Sequence, residues 1–306
     1  MAQLMKGETF KDALKLVRGK PRFEYPIFVE VKADEIRCQV KFTNGCRITN
    51  RLPVVEYLSY SGKPLHNMEH FTPALILYFC ASEFTELDIG IEVNGNFNDS
   101  YRWTQSSSGI PQEKFDKKTQ RTSPALDVGM VKLIVFDLPE SLEKYEVRRR
   151  TVINTADHLR RCGLNATFAS GCIAENEAEV WAIYNNYREA GHEGAMGKTL
   201  HHTYSRRRTF DWMKIKPSED HDGQITSFNE AVSESGEPLG RVGSINVTCA
   251  DASTAAPAGI PHELGRELWE NQHKYIGQWI EFYCMERDRQ GGYRHPIYHR
   301  FREAKA

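Results

Sequence analysis

Apolar and polar residues alternate from Ile27 to Arg37 and again from Gln39 to Thr43, the two-residue period of a strand with one buried face. Asn44-Gly45 follows and leads into Cys46-Arg47-Ile48, which reads as a hairpin. Val54 to Leu58, Leu87 to Val93, Val131 to Asp137 and Val180 to Ile183 are further strand candidates. Residues 8–19 place Phe10, Ala13, Leu14, Leu16 and Val17 near helical spacing, predicting a short amphipathic helix that Pro21 and Pro26 end. Ser141 to Arg161 predicts a longer helix with Leu142, Tyr145, Val152, Ala156 and Leu159 on one side. Residues 94–127 are rich in Asn, Ser, Gln and Lys and predict a long surface loop. The class is α+β.

After Lys216-Pro217 the pattern changes. Ser218 to Gly223 reads as a polar connector, and β-like runs follow near 224–228, 241–249 and 276–286, around a flexible Ala/Pro-rich loop at 250–261. A chain of 306 residues admits one large or two unequal domains. The change of character predicts two, 1–220 and 221–306.

Composition is that of an ordinary globular protein, with 40% hydrophobic and 26% charged residues. The longest apolar run, Ala74 to Ala81, is too short to span a bilayer. MAQLMKGETF contains no apolar segment with a cleavage site after it, so the expectation is a cytoplasmic protein without a membrane partner. Seven scattered cysteines without a C-x-x-C pair predict reduced thiols and no structural zinc. A net charge of −1 weighs against a protein that grips a polyanion, although charge can be local. Arg206-Arg207-Arg208 and a C-terminal segment with Arg294, Arg300, Arg302 and Lys305 are basic, and Arg148-Arg149-Arg150 fits a solvated helix face.

Four blocks carry candidate chemistry: Glu30-Val31-Lys32-Ala33-Asp34-Glu35-Ile36-Arg37, Val135-Phe136-Asp137, His192-Glu193-Gly194-Ala195-Met196-Gly197-Lys198, and Trp212-Met213-Lys214-Ile215-Lys216. Strand alternation puts Lys32 with Asp34, and Lys214 with Lys216, on one face each, so two strands can aim pairs at one site. A lysine that attacks phosphorus must be neutral, and neighbouring cations such as Lys214, Lys216 and Arg37 would lower its pKa and neutralise developing charge. Taken singly, each block has a plainer reading. Phe136 fits core, Glu193 and Lys198 fit an ordinary loop, and Lys214 and Lys216 fit an edge strand. Gly194 to Thr199 is not a P-loop, because His192 stands where its first glycine belongs. His201-His202 lacks ligand-spaced partners and fits exposed or satisfied side chains.

The ordered set resembles the covalent nucleotidyltransferases, most closely the small ATP-dependent DNA ligases of the bacteriophage type, over nearly the whole chain. K-x-D-G-x-R is met by Lys32, Asp34 and Arg37, E-G-x-x-x-K by Glu193, Gly194 and Lys198, and K-x-K by Lys214 and Lys216. R-x-P followed by R-x-R-x-x-K is met by Arg294, Pro296, Arg300, Arg302 and Lys305.

The resemblance implies a nucleotidyltransferase (adenylation) domain followed by an OB-fold β-barrel, in a monomer that closes on nicked duplex DNA. Lys32 would be adenylated by ATP with Mg²⁺, for which Mn²⁺ could substitute. AMP would pass to the 5′-phosphate, and the 3′-hydroxyl would displace it. Glu30 and Val31 would lie beside the nucleotide, Phe136 would stack on adenine, and Arg37 would contact ribose or the 5′-phosphate. Lys198, Lys214 and Lys216 would hold phosphates. Glu193, Asp34, Glu35 and Glu92 are the implied metal ligands. Lys63, Arg206, Arg208, Arg294, Arg300 and Arg302 are the implied DNA contacts, the C-terminal block also orienting pyrophosphate.

Three positions depart from the family. Glu35 replaces a glycine, Tyr60 in Ser59-Tyr60-Ser61-Gly62-Lys63 replaces an arginine, and Gly90 in Asp88-Ile89-Gly90-Ile91-Glu92 replaces a glutamate. Either a bulge brings Glu92 into the vacant place, or Glu35 supplies the acid from the next strand. The alternatives to a DNA ligase are an RNA ligase or capping-type relative, and a nick-binding homologue with impaired catalysis.

Overall fold

A computed structural model describes residues 4–45, 52–116, 120–216, 219–233, 235–284 and 292–302. The chain divides into two compact units, Met1–Ile215 and Lys216–Ala306, ahead of the boundary expected at 220.

Two five-stranded sheets build the first unit. One runs in the order Lys6–Thr9, Arg208–Ile215, Gly194–Thr199, Ile27–Lys32, Gly171–Ala174. The other runs Val54–Ser59, Ile36–Thr43, Glu86–Val93, Val131–Asp137, Ala166–Phe168. The long alternation that began at Ile27 is therefore two strands in different sheets, and Ala33-Asp34-Glu35 is the crossing between them.

Each sheet turns one apolar face to helices. In the first, Ile27, Val29, Ala195, Met213 and Ile215 pack with Phe10 and Ala13 of the helix Phe10–Ala13 and with Val180 and Tyr184 of the helix Glu177–Glu189. In the second, Cys38, Val40, Leu87, Ile89, Ile91, Leu133 and Val135 pack with Leu75, Trp103, Val152, Ala156 and Leu159. These last residues come from the helices Thr72–Cys80, Phe97–Gln105 and Tyr145–Arg161. Because side chains alternate along a strand, the opposite faces carry the polar residues. Lys198 Nζ reaches Phe136 O at 3.4 Å and the Arg37 guanidinium lies 4.9 Å over the Trp212 ring, so the two polar faces look at one another. Burying charged side chains there is tolerable only with partners, which explains the ion pairs described below.

Several sequence expectations are corrected. The helix over 8–19 is only Phe10–Ala13, capped by Thr9, whose hydroxyl accepts from Asp12 N. Leu16 and Val17 are exposed, and the chain turns back at once, Val17 bridging Lys20 through Arg18 and Gly19 at positive φ. Val180 to Ile183 is helical, not a strand: Asn176 caps the helix Glu177–Glu189 by accepting from Glu179 N. Residues 94–127 are not structureless. Asn96 caps the helix Phe97–Gln105, which buries Trp103 completely, and Lys114–Asp116 pairs with Arg121–Ser123. The helix expected from Ser141 begins at Tyr145 and leaves Leu142 at the surface. Thr43 pairs with Val54, while Cys46 to Ile48, the second strand of the expected hairpin, lies outside the described residues.

The second unit is a five-stranded sheet in the order Thr254–Ala255, Pro238–Cys249, Glu219–Val232, Trp279–Cys284, Ile297–Phe301. Its core gathers Ile225, Val242, Ile245, Val247, Ile280 and Phe282 with Leu268 of the helix His262–Glu270. Ala258 bridges both Ser244 and Ile297, tying the Ile297–Phe301 edge back to the Pro238–Cys249 strand. Part of the expected flexible loop is thus fixed in the sheet. The expected connector is strand from Glu219 onward, paired with Trp279–Cys284. Among the described residues no helix is long and apolar enough to cross a membrane.

Candidate active site

Register explains how the site assembles. Gly194 lies opposite Lys32, and Met196 lies opposite Glu30 on one side and Lys214 on the other. Glu193, one residue before Gly194, therefore arrives at the end of the Lys32 strand, and its carboxylate is ion-paired with Lys32 Nζ. The same ammonium also donates to Ala33 O at 3.3 Å. Burial pulls the Lys32 pKa down, but Glu35, Glu193 and Asp34 outweigh it and the net direction is up. This reverses the expectation that Lys214, Lys216 and Arg37 lower it. The immediate neighbours are acids, and Arg37 is engaged elsewhere.

Arg37 forks onto Asp88, Nε at 2.8 Å and Nη2 at 2.5 Å, and Tyr204 Oη donates to the same carboxylate at 2.7 Å. Lys198 has no exposure. It pairs with Glu30 at 2.6 Å and sits 4.1 Å over the Trp212 ring. Tyr145 Oη donates to the other Glu30 oxygen at 3.0 Å. Lys214 and Lys216 are partly exposed. Phe136 is half-buried, its ring beside Gly90 and Glu35. Burial raises Glu35 to about 7, with Glu193 adding to it and Lys32 and Arg37 opposing.

A cavity of about 420 Å³ opens beside Lys32. Val31, Lys32, Asp34, Glu92, Lys132, Ile134, Ser170 and Glu193 are among its walls. Glu92 is held by Lys132 at 2.5 Å. The strand pairing is unbroken from Ile89 to Val93, its one irregularity falling between Asp88 and Ile89, so no bulge carries Glu92 into the place of Gly90.

No protein-family model matches this chain, and no curated protein matches it by sequence. Solved structures do match. A structure named Pmar-Lig_PreS3 superposes with a TM-score of 0.73 at 18% identity, over 97% of this chain and 67% of its own. One described in a structure-function analysis of Lig E DNA ligases gives 0.67 at 16% identity, over 99% and 100%. The ATP-dependent DNA ligase of bacteriophage T7, solved with ATP, gives 0.54 at 18% identity, over 98% and 98%. This chain has the fold of the DNA ligases.

Within the ligase fold several expected contacts are already spoken for. Arg206 forks onto Glu86 at 2.6 and 2.7 Å, and Arg208 is 3.4 Å from Glu8. In the second unit Arg300 pairs with Glu281 at 2.6 Å and Arg302 with Asp222 at 2.7 Å, while Arg294 is partly exposed. Lys63 is exposed on the turn where Ser59 Oγ accepts from its N–H. Lys305 lies outside the described residues. Lys6 Nζ stands 4.6 Å over the ring of Tyr60, bringing a cation to the position whose arginine is missing.

A buried polar network went unseen in the sequence. Arg148, expected at a solvated face, is wholly buried and forks onto Asp137 at 2.5 and 3.1 Å, which holds that carboxyl below its usual range despite burial. His202 Nε2 faces Arg148 Nη2 and Trp212 Nε1, each at 3.2 Å, and Nδ1 faces Thr199 O at 2.6 Å. Two N–H donors on Nε2 require the neutral ring with its proton on Nδ1. Burial, reinforced by Arg148, pulls the His202 pKa down to about 4. Arg149, its guanidinium 3.8 Å from the Phe28 ring centre, covers that ring.

Proposed function

We propose that this protein is an ATP-dependent DNA ligase that seals nicks in duplex DNA. The observation that carries the reading is the setting of Lys32. It is a mostly buried lysine at the wall of a nucleotide-sized cavity, with Glu193 on its ammonium, in a fold shared with ATP-dependent DNA ligases.

Lys32 Nζ, once it has shed its proton, attacks the α-phosphorus of ATP. A P–N bond forms and the P–O bond to pyrophosphate breaks. The 5′-phosphate of the nick then takes AMP from Lys32, and the 3′-hydroxyl attacks that phosphate and releases AMP. Phe136, half-buried beside Gly90 and Glu35 and not itself a wall of the cavity, is the residue we assign to offer the adenine ring a planar apolar face. Lys214, partly exposed and on the strand face that carries Lys32, and Lys216 just beyond that strand are the cations we assign to phosphate, with Lys198 joining when it leaves Glu30.

Mg²⁺ fits this site in one mode. Among the described residues no three His, Cys, Asp or Glu side chains form a ready cage. Mg²⁺ commonly uses one or two carboxylates together with substrate phosphates, and Glu193 and Asp34, which line the cavity beside Lys32, suit that. When bound, the ion would neutralise charge on the phosphates. Residues 1–215 serve as the adenylation domain. Residues 216–306 serve as an OB-type barrel, a reading supported by the five-stranded sheet whose edge is tied back through Ala258. Lys63, exposed on its turn, is the cation best placed to meet DNA phosphates, with Arg206, Arg208, Arg294, Arg300 and Arg302 joining if their partners release them.

Sealing of a nicked duplex carrying a 5′-phosphate, assayed with ATP and Mg²⁺, tests the function. A ligated product that requires both ATP and the 5′-phosphate is expected. Binding without product would leave a nick-binding protein, and sealing confined to RNA strands would make it an RNA ligase.

A further inference from the structure

The inner face of the strand Glu86–Val93 presents Glu86, Asp88, Gly90 and Glu92 in alternation, three carboxylates and one empty position. Each of the three acids is engaged. Glu86 holds Arg206 and Gln39, Asp88 holds Arg37 and Tyr204, and Glu92 holds Lys132.

Gly90 stands opposite Arg37 on one side and Ile134 on the other, in regular pairing. It is not a glycine for the sake of its backbone, since its φ lies outside the left-handed range. The reason is space. A Cβ on Gly90 would lie 2.5 Å from Glu35 Cγ and 2.7 and 2.8 Å from Phe136 ring carbons. The Glu35 side chain fills the room that a side chain at Gly90 would need, and it comes from the crossing segment immediately after Lys32.

From this we infer that Glu35 and Gly90 are a reciprocal exchange: Glu35 supplies from the crossing segment the carboxylate that this strand lacks, and Gly90 exists to admit it. The inference rests on the lysine-adenylation reading. It assigns Glu35 a specific part in that reaction, holding the Lys32 ammonium in place together with Glu193. Both carboxylates hold Lys32 in place, so removing Glu35, although it eases loss of the Lys32 proton, misplaces the nucleophile and lowers the rate of adenylation more than it weakens ATP binding. Glu35 is thus a positioning residue. Its neighbour Phe136 forms the third wall of the same space.

The test is a four-protein cycle with a shape-preserving control: wild type, Glu35→Gly, Gly90→Glu, the double variant, and Glu35→Gln. Two quantities are measured on each, the unfolding temperature and the rate and KM of AMP transfer from α-labelled ATP to the protein. Gly90→Glu alone is expected to lower the unfolding temperature, because its Cβ meets Glu35 and Phe136. The double variant, which keeps only the contact with the tip of the Phe136 ring, is expected to recover most of the unfolding temperature and of the labelling. Glu35→Gly and Glu35→Gln are expected to stay folded and to lose at least tenfold in labelling rate, with a smaller change in KM.

A Glu35→Gln protein that labels at the wild-type rate overturns the proposal, as does a double variant that recovers stability without labelling. Loss of labelling in Glu92→Gln but not in Glu35→Gln would move the role to Glu92. If wild type itself takes up no label, the adenylation reading fails and the proposal with it. Labelled wild type with no rescue removes the exchange alone.

Discussion

Arg148 and Asp137 form a two-pronged ion pair in which neither side chain has any exposure to solvent. Asp137 follows Phe136 directly, so the pair anchors the strand end that presents Phe136 between the sheets. Through His202 and Trp212 the same network reaches the opposite sheet.

Breaking such a pair from one side leaves a buried charge without a partner, which costs about 3–5 kcal/mol. Arg148→Met should therefore lower the unfolding temperature by roughly 10 °C. Adding Asp137→Leu should return part of the loss. Calorimetry on both variants checks this, and an unchanged transition in Arg148→Met would contradict the buried-network account.

His202 gives stability a definite pH dependence. Its folded pKa, about 4, lies below its ordinary value of 6.5, so between these limits the unfolded chain binds a proton that the folded chain refuses. Stability contributed here is intact above 6.5 and is lost as pH falls toward 4, at about 1.4 kcal/mol per pH unit, or roughly 3 kcal/mol over the window. The stability gap between wild type and His202→Gln should narrow on acidification. Denaturant titrations at pH 7.5, 5.5 and 4.5 would contradict this if the gap stayed constant.

Phe136→Ala should weaken the use of ATP by an amount on the order of 1–3 kcal/mol, the range for stacking of a base on an aromatic ring. Phe136→Tyr should keep most of it. The KM for ATP in the labelling reaction is the readout, and equal KM values for wild type and Phe136→Ala would remove the stacking role.

Binding to nicked duplex should weaken with salt, each phosphate contact contributing about −0.9 to the slope of log K against log salt. Exposed Lys63 is the simplest contact to delete. Lys63→Ala should make the slope shallower by about one. An unchanged slope, measured by fluorescence anisotropy, would exclude Lys63 from the interface.

Much of the candidate site was legible because strand alternation is a local property. The period placed Lys32 and Lys214 on strand faces, although Asp34 and Lys216 fall just past the ends of those strands, and the antiparallel register then brought Glu193 to Lys32. What was not legible depends on partners distant in the chain. Arg148 looked like one of three solvated arginines because Asp137 and His202 cannot be seen as its neighbours in sequence. Val180 to Ile183 is too short an apolar run to tell a strand from a helix, and the Asn176 cap was the signal that decides it. The segment after Asn94 looked like loop because its helix buries a single tryptophan beside small polar residues, Ser100 and Thr104. Composition gave no hint that the cations near Lys32 would be outnumbered by acids.

Covalent capture of AMP is the most direct test of the central claim. Purified protein is incubated with α-labelled ATP and Mg²⁺, denatured, and separated on a gel. A labelled band at the protein's mass in wild type, absent in Lys32→Ala and released by added pyrophosphate, is the predicted result. No band in wild type, or a band that persists in Lys32→Ala, would contradict it.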